Sequence, residues 1–266
     1  MTVPVGESVY NHGFPPCSGI GLEWSSDDLD AALDGPVAAV LFDDEGKANI
    51  EEILTSLAET DFAQEGLRRV LADPNDIEDW RVGEAIAESY LTDHRLCYFP
   101  WPDGRDERKS GSSLPGADLV GFRADDDGDC LAFGEVKTSS ESKYPPGAMY
   151  GRTSGLKQQL EALRDREAIR DDLLKYLGHR AKEAPWRERF RNASSRYLRN
   201  KADVQLYGFL VRDVDPHQDD LRARVSKLAT DCPEGTHIEL LALYLPKGRI
   251  DGIGKAAIAK RTGANT

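Results

Sequence analysis

Asp118, Glu135 and Lys137 are the residues of this 266-residue chain whose types and spacing best suit chemistry. They lie in "LPGADLVGFRADDDGDCLAFGEVKTSS", residues 114–140, where two apolar runs flank an acidic turn. The pattern predicts a β-hairpin with strands over 117–123 and 130–138. Asp118 then opens the first strand, and Glu135 and Lys137, two residues apart, share a face near the end of the second. Two carboxylates and an amine meet at one end of a sheet. Such carboxylates suit Mg²⁺, a hard cation that takes oxygen ligands and keeps several waters, with Mn²⁺ as a substitute. A bound divalent ion lowers the pKa of a water and neutralises a phosphoryl oxygen during in-line attack. The lysine can orient or deprotonate that water, or stabilise developing negative charge. The alternative is a cross-strand salt bridge on an exposed face. "LAFGEV" is apolar on both sides of its alternation, which favours a buried strand, and buried charges need a reason.

The elements that must position these residues follow in an informative order. Residues 77–93 read as an amphipathic helix, 96–101 as a strand and 102–116 as a polar loop. After the hairpin come a second loop (139–155), a helix from Leu156 and a basic helix over 185–199. A strand (204–211), a helix (216–230), a strand (237–245) and a weakly helical segment (252–261) complete the chain. This order predicts an α/β fold with a mixed central sheet covered by helices on both faces. Upstream, 36–42 ("PVAAVLF") reads as a short strand, and "ANIEEILTSLAE" and "FAQEGLRRVLA" as two helices. "DPND" breaks the chain, and Asp76 can cap the next helix. The expected division is a small N-terminal α/β region, 1–75, and a main domain, 76–266.

With these elements in place, "GAD-x16-E-V-K" resembles the PD-(D/E)xK nuclease signature, and the element order over 77–245 resembles that fold's core. "VGEAIAESYL", "GADLVGF", "FGEVKTS" and "GLKQQLEAL" are together similar to HamA, the family of nuclease subunits of the Hachiman anti-phage system. The resemblance covers roughly the last two-thirds of the chain. It implies a PD-(D/E)xK restriction-endonuclease-like core and a metal-dependent deoxyribonuclease acting with a superfamily-two, HamB-like helicase subunit. Asp118 and Glu135 become metal ligands and Lys137 the catalytic lysine. An acidic residue on the first helix joins the catalytic site as a further metal ligand: Glu84 fits best, and Glu88, one turn later on the same face, is the fallback. A glutamine after E-x-K supports it, either Gln158 or Gln159, with Gln158 preferred.

Composition sets the surroundings. Net charge is −13, which argues against a generic nucleic-acid binder. The charge is uneven: residues 1–100 hold 21 acids and 5 bases, whereas 101–266 hold 26 acids and 29 bases. The acidic third is expected to face a protein partner and the remainder DNA. Residues 179–201 carry eight Lys/Arg with Trp186, Phe190 and Tyr197 interleaved. Arg187, Arg191 and Arg199 are the candidate DNA contacts, and the aromatics either stack on bases or fill the core. "DDDGD" fails the EF-hand spacing, "KGRIDGIGK" lacks the P-loop ending, and four scattered cysteines make neither a zinc site nor a disulfide framework. No apolar run approaches the ~18 residues of a membrane span, so no membrane partner is expected. The N-terminus lacks signal-peptide features, which makes the cytoplasm the expected location, and the anti-phage resemblance implies a bacterial one. Two rival readings remain: a free-standing restriction-type endonuclease, and a catalytically inactive interaction protein.

Overall fold

The computed structural model describes residues 2–102, 105, 116–151 and 154–263. In chain order the strands are β1 (Glu7–Phe14), β2 (Cys17–Glu23), β3 (Cys97–Tyr98), β4 (Leu119–Asp125), β5 (Gly128–Ser139), β6 (Val204–Arg212) and β7 (Thr236–Tyr244). They form one sheet in the order β1-β2-β7-β6-β5-β4-β3. The four central strands, β2, β7, β6 and β5, run parallel; β1, β4 and β3 are antiparallel to their neighbours. All nine residues of β6 are buried, which is why "VQLYGFLVR" reads as a nearly continuous apolar run.

The N-terminal helices are α1 (Ser26–Asp34), α2 (Pro36–Leu41), α3 (Asp44–Thr55), α4 (Asp61–Val70) and α5 (Asp79–His94). The later ones are α6 (Leu156–Asp165), α7 (Glu167–Gly178), α8 (Arg187–Arg199), α9 (Arg222–Ala229) and α10 (Ile253–Thr262). Side chains of α1, α2, α5 and α10 share one core with one face of the sheet. Those of α6 to α9 share a second core with the other face. Alternation along β5 feeds both: Leu131 and Phe133 enter the second core, Ala132 and Val136 the first. The expected mixed sheet flanked by helices is therefore present.

Several elements differ from expectation. Of residues 36–42, Pro36–Leu41 form α2 and Phe42 is its C-cap, rather than a strand. Pro36 occupies its first turn, where the ring pre-sets φ, and Val37 and Ala38 face the core. So short an apolar run does not separate a strand from a buried helix. The β1–β2 hairpin has no counterpart in the expected elements. It extends the sheet on the far side of β7, so strands from both sides of residue 75 lie in one sheet. Helix α5 is not amphipathic along its middle: Val82 to Leu91 are all buried, Glu84 and Glu88 included. It lies between the sheet and the α2 and α10 helices, which leaves it no solvated stripe there. Only Cys97–Tyr98 of the 96–101 strand is extended, and 216–230 divides into a 3-10 turn (Gln218–Asp220) and α9. Most of the polar loop over 102–116 lies outside the described residues.

One glycine governs how closely α6 approaches the strand that carries Glu135. Gly208 of β6 is the register partner of Glu135. A Cβ there would lie 2.6 Å from Leu160 Cδ1 of α6 and 2.5 Å from Leu240 Cδ2 of β7. Gly208→Ala should therefore overpack this layer and cost about 1–3 kcal/mol. Chemical denaturation of the variant beside the parent measures it, with the midpoint falling and the slope unchanged.

Candidate active site

The hairpin delivers its charged residues to one place. β4 and β5 pair with Leu119 opposite Gly134, so Asp118, just before β4, comes beside Glu135. Its Oδ2 accepts a hydrogen bond from the Val136 backbone N–H at 2.7 Å. Lys137 Nζ lies 3.4 Å from Glu135 Oε2 and 3.6 Å from Asp118 Oδ2. Glu135 is fully buried, and its Oε1 has no hydrogen-bond partner. The Lys137 and Asp118 side chains keep 20% and 11% of their exposure, which opens the group to solvent on one side. Burial, and then the Asp118 charge, push the Glu135 carboxyl well above the usual carboxylate range; Lys137 opposes them and is outweighed.

Helix α5 forms the adjoining wall. Gly83 lets it close on β5: a Cβ there would sit 2.1 Å from Thr138 Oγ1. This approach brings Glu84 into an open cleft of about 430 Å³ lined also by Trp80, Asp118, Lys137, Thr138 and Ser154. Glu84 is buried, and its Oε2 accepts from Arg81 Nη1 at 2.8 Å, with Arg81 over the Trp80 ring. Glu88, also buried, meets Asp118 at a separate, much smaller cavity beside Phe99 and Trp101. Of the two glutamates, Glu84 shares a cleft with Lys137.

Gln158 and Gln159 lie in the first turn of α6, which packs on β5 and β6. The Oε1 atom of each is buried without a hydrogen-bond partner. Thr138, whose buried Oγ1 likewise has none, lines the cleft with Trp80, and Arg81 supports it through Glu84 and the Trp80 ring. Sequence reasoning passed over these three. Thr138 could have been found because it follows Lys137 directly, and Arg81 because it precedes Glu84 by three residues on a helix.

The basic helix stands elsewhere. Arg196 of α8 binds Asp125 at 2.6 Å and Asp203 at 2.9 Å, and Arg189 binds Asp129 at 2.9 Å. These contacts tie α8 to the turn of the hairpin, about 20 Å along β5 from Glu135 at the usual strand rise. Arg187, Arg191 and Arg199 are exposed there and are not gathered into the cleft. Trp186 and Tyr197 are core residues and Phe190 is half-buried, so the aromatics pack rather than face solvent.

The donor set fits a hard divalent cation. Asp118 and Glu135 would hold it, the unpartnered Oε1 of Glu135 being the oxygen that lacks a partner without one. Among the described residues no group of three His, Cys, Asp or Glu is assembled for a metal ion. The two carboxylates would therefore be completed by water, as is usual for Mg²⁺.

No protein-family model matches the chain, and no curated protein matches it. No helix among the described residues is long and apolar enough to cross a membrane.

The raised proton affinity of Glu135 has a signed consequence for stability. Folding favours its protonated form, so that contribution is present below the unfolded carboxyl pKa and is lost as pH rises through the folded one. Glu135→Gln should make the metal-free protein more stable than the parent at neutral pH, with the gap closing in acid. Thermal melts in chelator across a pH series test this; a gap that is constant with pH rejects it.

Proposed function

We propose that this chain is a metal-dependent deoxyribonuclease of the PD-(D/E)xK type, the effector subunit of an anti-phage defence complex that works with a superfamily-two helicase. The observation that carries the reading is the meeting of Asp118, Glu135 and Lys137 at a cleft mouth, with Glu135 buried and one of its oxygens unpartnered. A structural salt bridge has no need to bury a carboxylate oxygen without a partner. The element order from α5 to β7 supports the same reading.

In this reading Asp118 and Glu135 hold Mg²⁺ or Mn²⁺, which when bound supplies an activated water and charge neutralisation at the phosphate. Lys137 orients the attacking water and stabilises negative charge that develops during hydrolysis. The Val136 N–H fixes the carboxylate plane of Asp118. Glu84, held by Arg81, lines the DNA-facing cleft, Glu88 lines the smaller cavity beside Asp118, and Gln158 is assigned a supporting role from the first turn of α6. Arg187, Arg191 and Arg199 add sequence-independent phosphate contacts at the far end of the hairpin. A rival reading, an inactive interaction protein, draws on the absence of a three-carboxylate group among the described residues.

Reversing Arg187, Arg191 and Arg199 together should weaken DNA binding across all sequences and flatten its salt dependence. Titrations at several salt concentrations read this out, and an unchanged slope removes α8 from the DNA surface. The site itself separates its two roles. Glu135→Ala should lose Mg²⁺ affinity and cleavage together, because an oxygen ligand is gone. Lys137→Ala should keep or strengthen metal binding, since a nearby positive charge is removed, yet lose orders of magnitude in rate. Calorimetric metal titration beside a plasmid-cleavage time course decides it. If Lys137→Ala cuts at the parental rate, the nuclease assignment fails.

A further inference from the structure

Helices α3 and α4 carry apolar side chains that the fold does not use. Ile50, Ile53, Leu54 and Leu57 follow the i, i+3, i+4, i+7 spacing of a single helix face. Ile50, Ile53 and Leu57 are nevertheless exposed, Leu57 to 70%. On α4, Phe62, Leu67 and Val70 fall along one side; Phe62 is 82% exposed, and α4 buries no residue at all. Five of the exposed large apolar residues among the described ones thus fall within 21 consecutive positions, 50–70. A ten-residue helix that buries nothing gains little from its own propensity. Its apolar stripe needs a cover.

The surrounding charge indicates what the cover is. Glu51, Glu59 and Asp61 stand exposed beside this stripe, Glu52 lies on the far side of α3, and none of the four has an ion-pair partner among the described residues. Arg68 and Arg69 are already committed to Glu65. The patch is therefore an apolar strip with an acidic rim. A second copy docked through the same face would set Glu51, Glu59 and Asp61 against themselves. An anionic lipid surface would be repelled. A protein surface with an apolar strip and a Lys/Arg rim meets both features at once.

We propose that the exposed face of α3 and α4 is a docking surface for a basic, apolar-faced helix of a partner protein. The inference does not rest on the nuclease reading; if that reading holds, the helicase subunit is the partner to expect on this face.

The test uses the full chain and a synthetic amphipathic peptide with a leucine face flanked by lysines. A scrambled peptide of the same composition, without an apolar face, is the control. Calorimetry should show the amphipathic peptide binding, and the scrambled one binding roughly tenfold or more weakly. The double variant Leu57→Ser/Phe62→Ser should weaken the amphipathic peptide by at least about tenfold, with the melting temperature of the chain unchanged because neither side chain is buried. Glu51→Lys/Glu59→Lys should weaken it too and should lessen its salt dependence. Equal binding of the two peptides, no binding, or binding unaffected by Leu57→Ser/Phe62→Ser overturns the proposal. So does concentration-dependent dimerisation in sedimentation velocity that the apolar double variant abolishes, which would make a second copy the occupant. Co-sedimentation of the parent, but not that variant, with phosphatidylglycerol vesicles would make it a membrane and overturn the proposal equally.

Discussion

Glu135 stands where water does not reach it, and the geometry around it answers to that placement. Its strand is interior to the sheet, α6 closes over its face because Gly208 leaves room, and among the described residues Lys137 alone offsets its charge at close range. Removing a carboxylate from water is costly unless it is paired or neutralised. The fold meets part of that cost with an ammonium on the same strand face and leaves one oxygen without a partner. A group in this state holds its proton tightly, so cation binding and proton release become linked at this position. Asp118 belongs to the same arrangement. Where the β4–β5 ladder stops at Leu119, the next N–H on that edge, that of Val136, is taken by the Asp118 carboxylate instead of a strand carbonyl. The end of the ladder itself aims the second carboxylate.

Much of this was legible because it follows from short-range pattern. The hairpin was readable from two apolar runs around an acidic turn, and with it the convergence of Asp118, Glu135 and Lys137, since a two-residue period and a register fix which side chains meet. β6 and β7 were readable as apolar runs bounded by turns. The features that escaped depend on tertiary packing. "PVAAVLF" suits a buried strand or a buried helix equally, and its contact with α5 decides for the helix. β1 is exposed on most of its residues and shows no alternation, so only its pairing with β2 reveals it. Glu84 and Glu88 look like ordinary solvated glutamates in sequence. They are buried because α5 is covered on several sides, which local periodicity does not report.

The charge asymmetry also takes a specific physical form. Some N-terminal acids are spent on binding the rest of the chain: Asp44 and Asp73 engage Arg261 of α10, and Asp79 accepts from the backbone N–H groups of Gly252 and Gly254 at its start. The last of these is a capping interaction supplied across the fold, and it joins the start of α5 to α10. Other acids have no ion-pair partner among the described residues, and Glu45, Glu51, Glu52 and Asp61 of α3 and α4 are among them. Part of the −16 balance of residues 1–100 thus stitches the N-terminal helices to α10, and another part is left displayed.

The outer wall of the cleft shows how far the site's support extends. The segment after β5 contributes Ala148 and Ser154 to the cleft, and its regular structure among the described residues is one 3-10 turn, Gly147–Met149. Two buried arginines from the far half of the fold hold it instead. Arg212, at the end of β6, donates to the Glu141 and Lys143 carbonyls and lies over the Tyr144 ring. Arg224 of α9 donates to the Tyr150 hydroxyl and stacks on its ring. Arg212 is in turn backed by Asp220, whose Oδ2 accepts from Tyr244 of β7. The loop is gripped through two of its carbonyls and two of its tyrosines, so the cleft wall takes its position from β6, β7 and α9. The β4–β5 hairpin supplies the charges, and the parallel half of the sheet, through these arginines, sets the space in front of them.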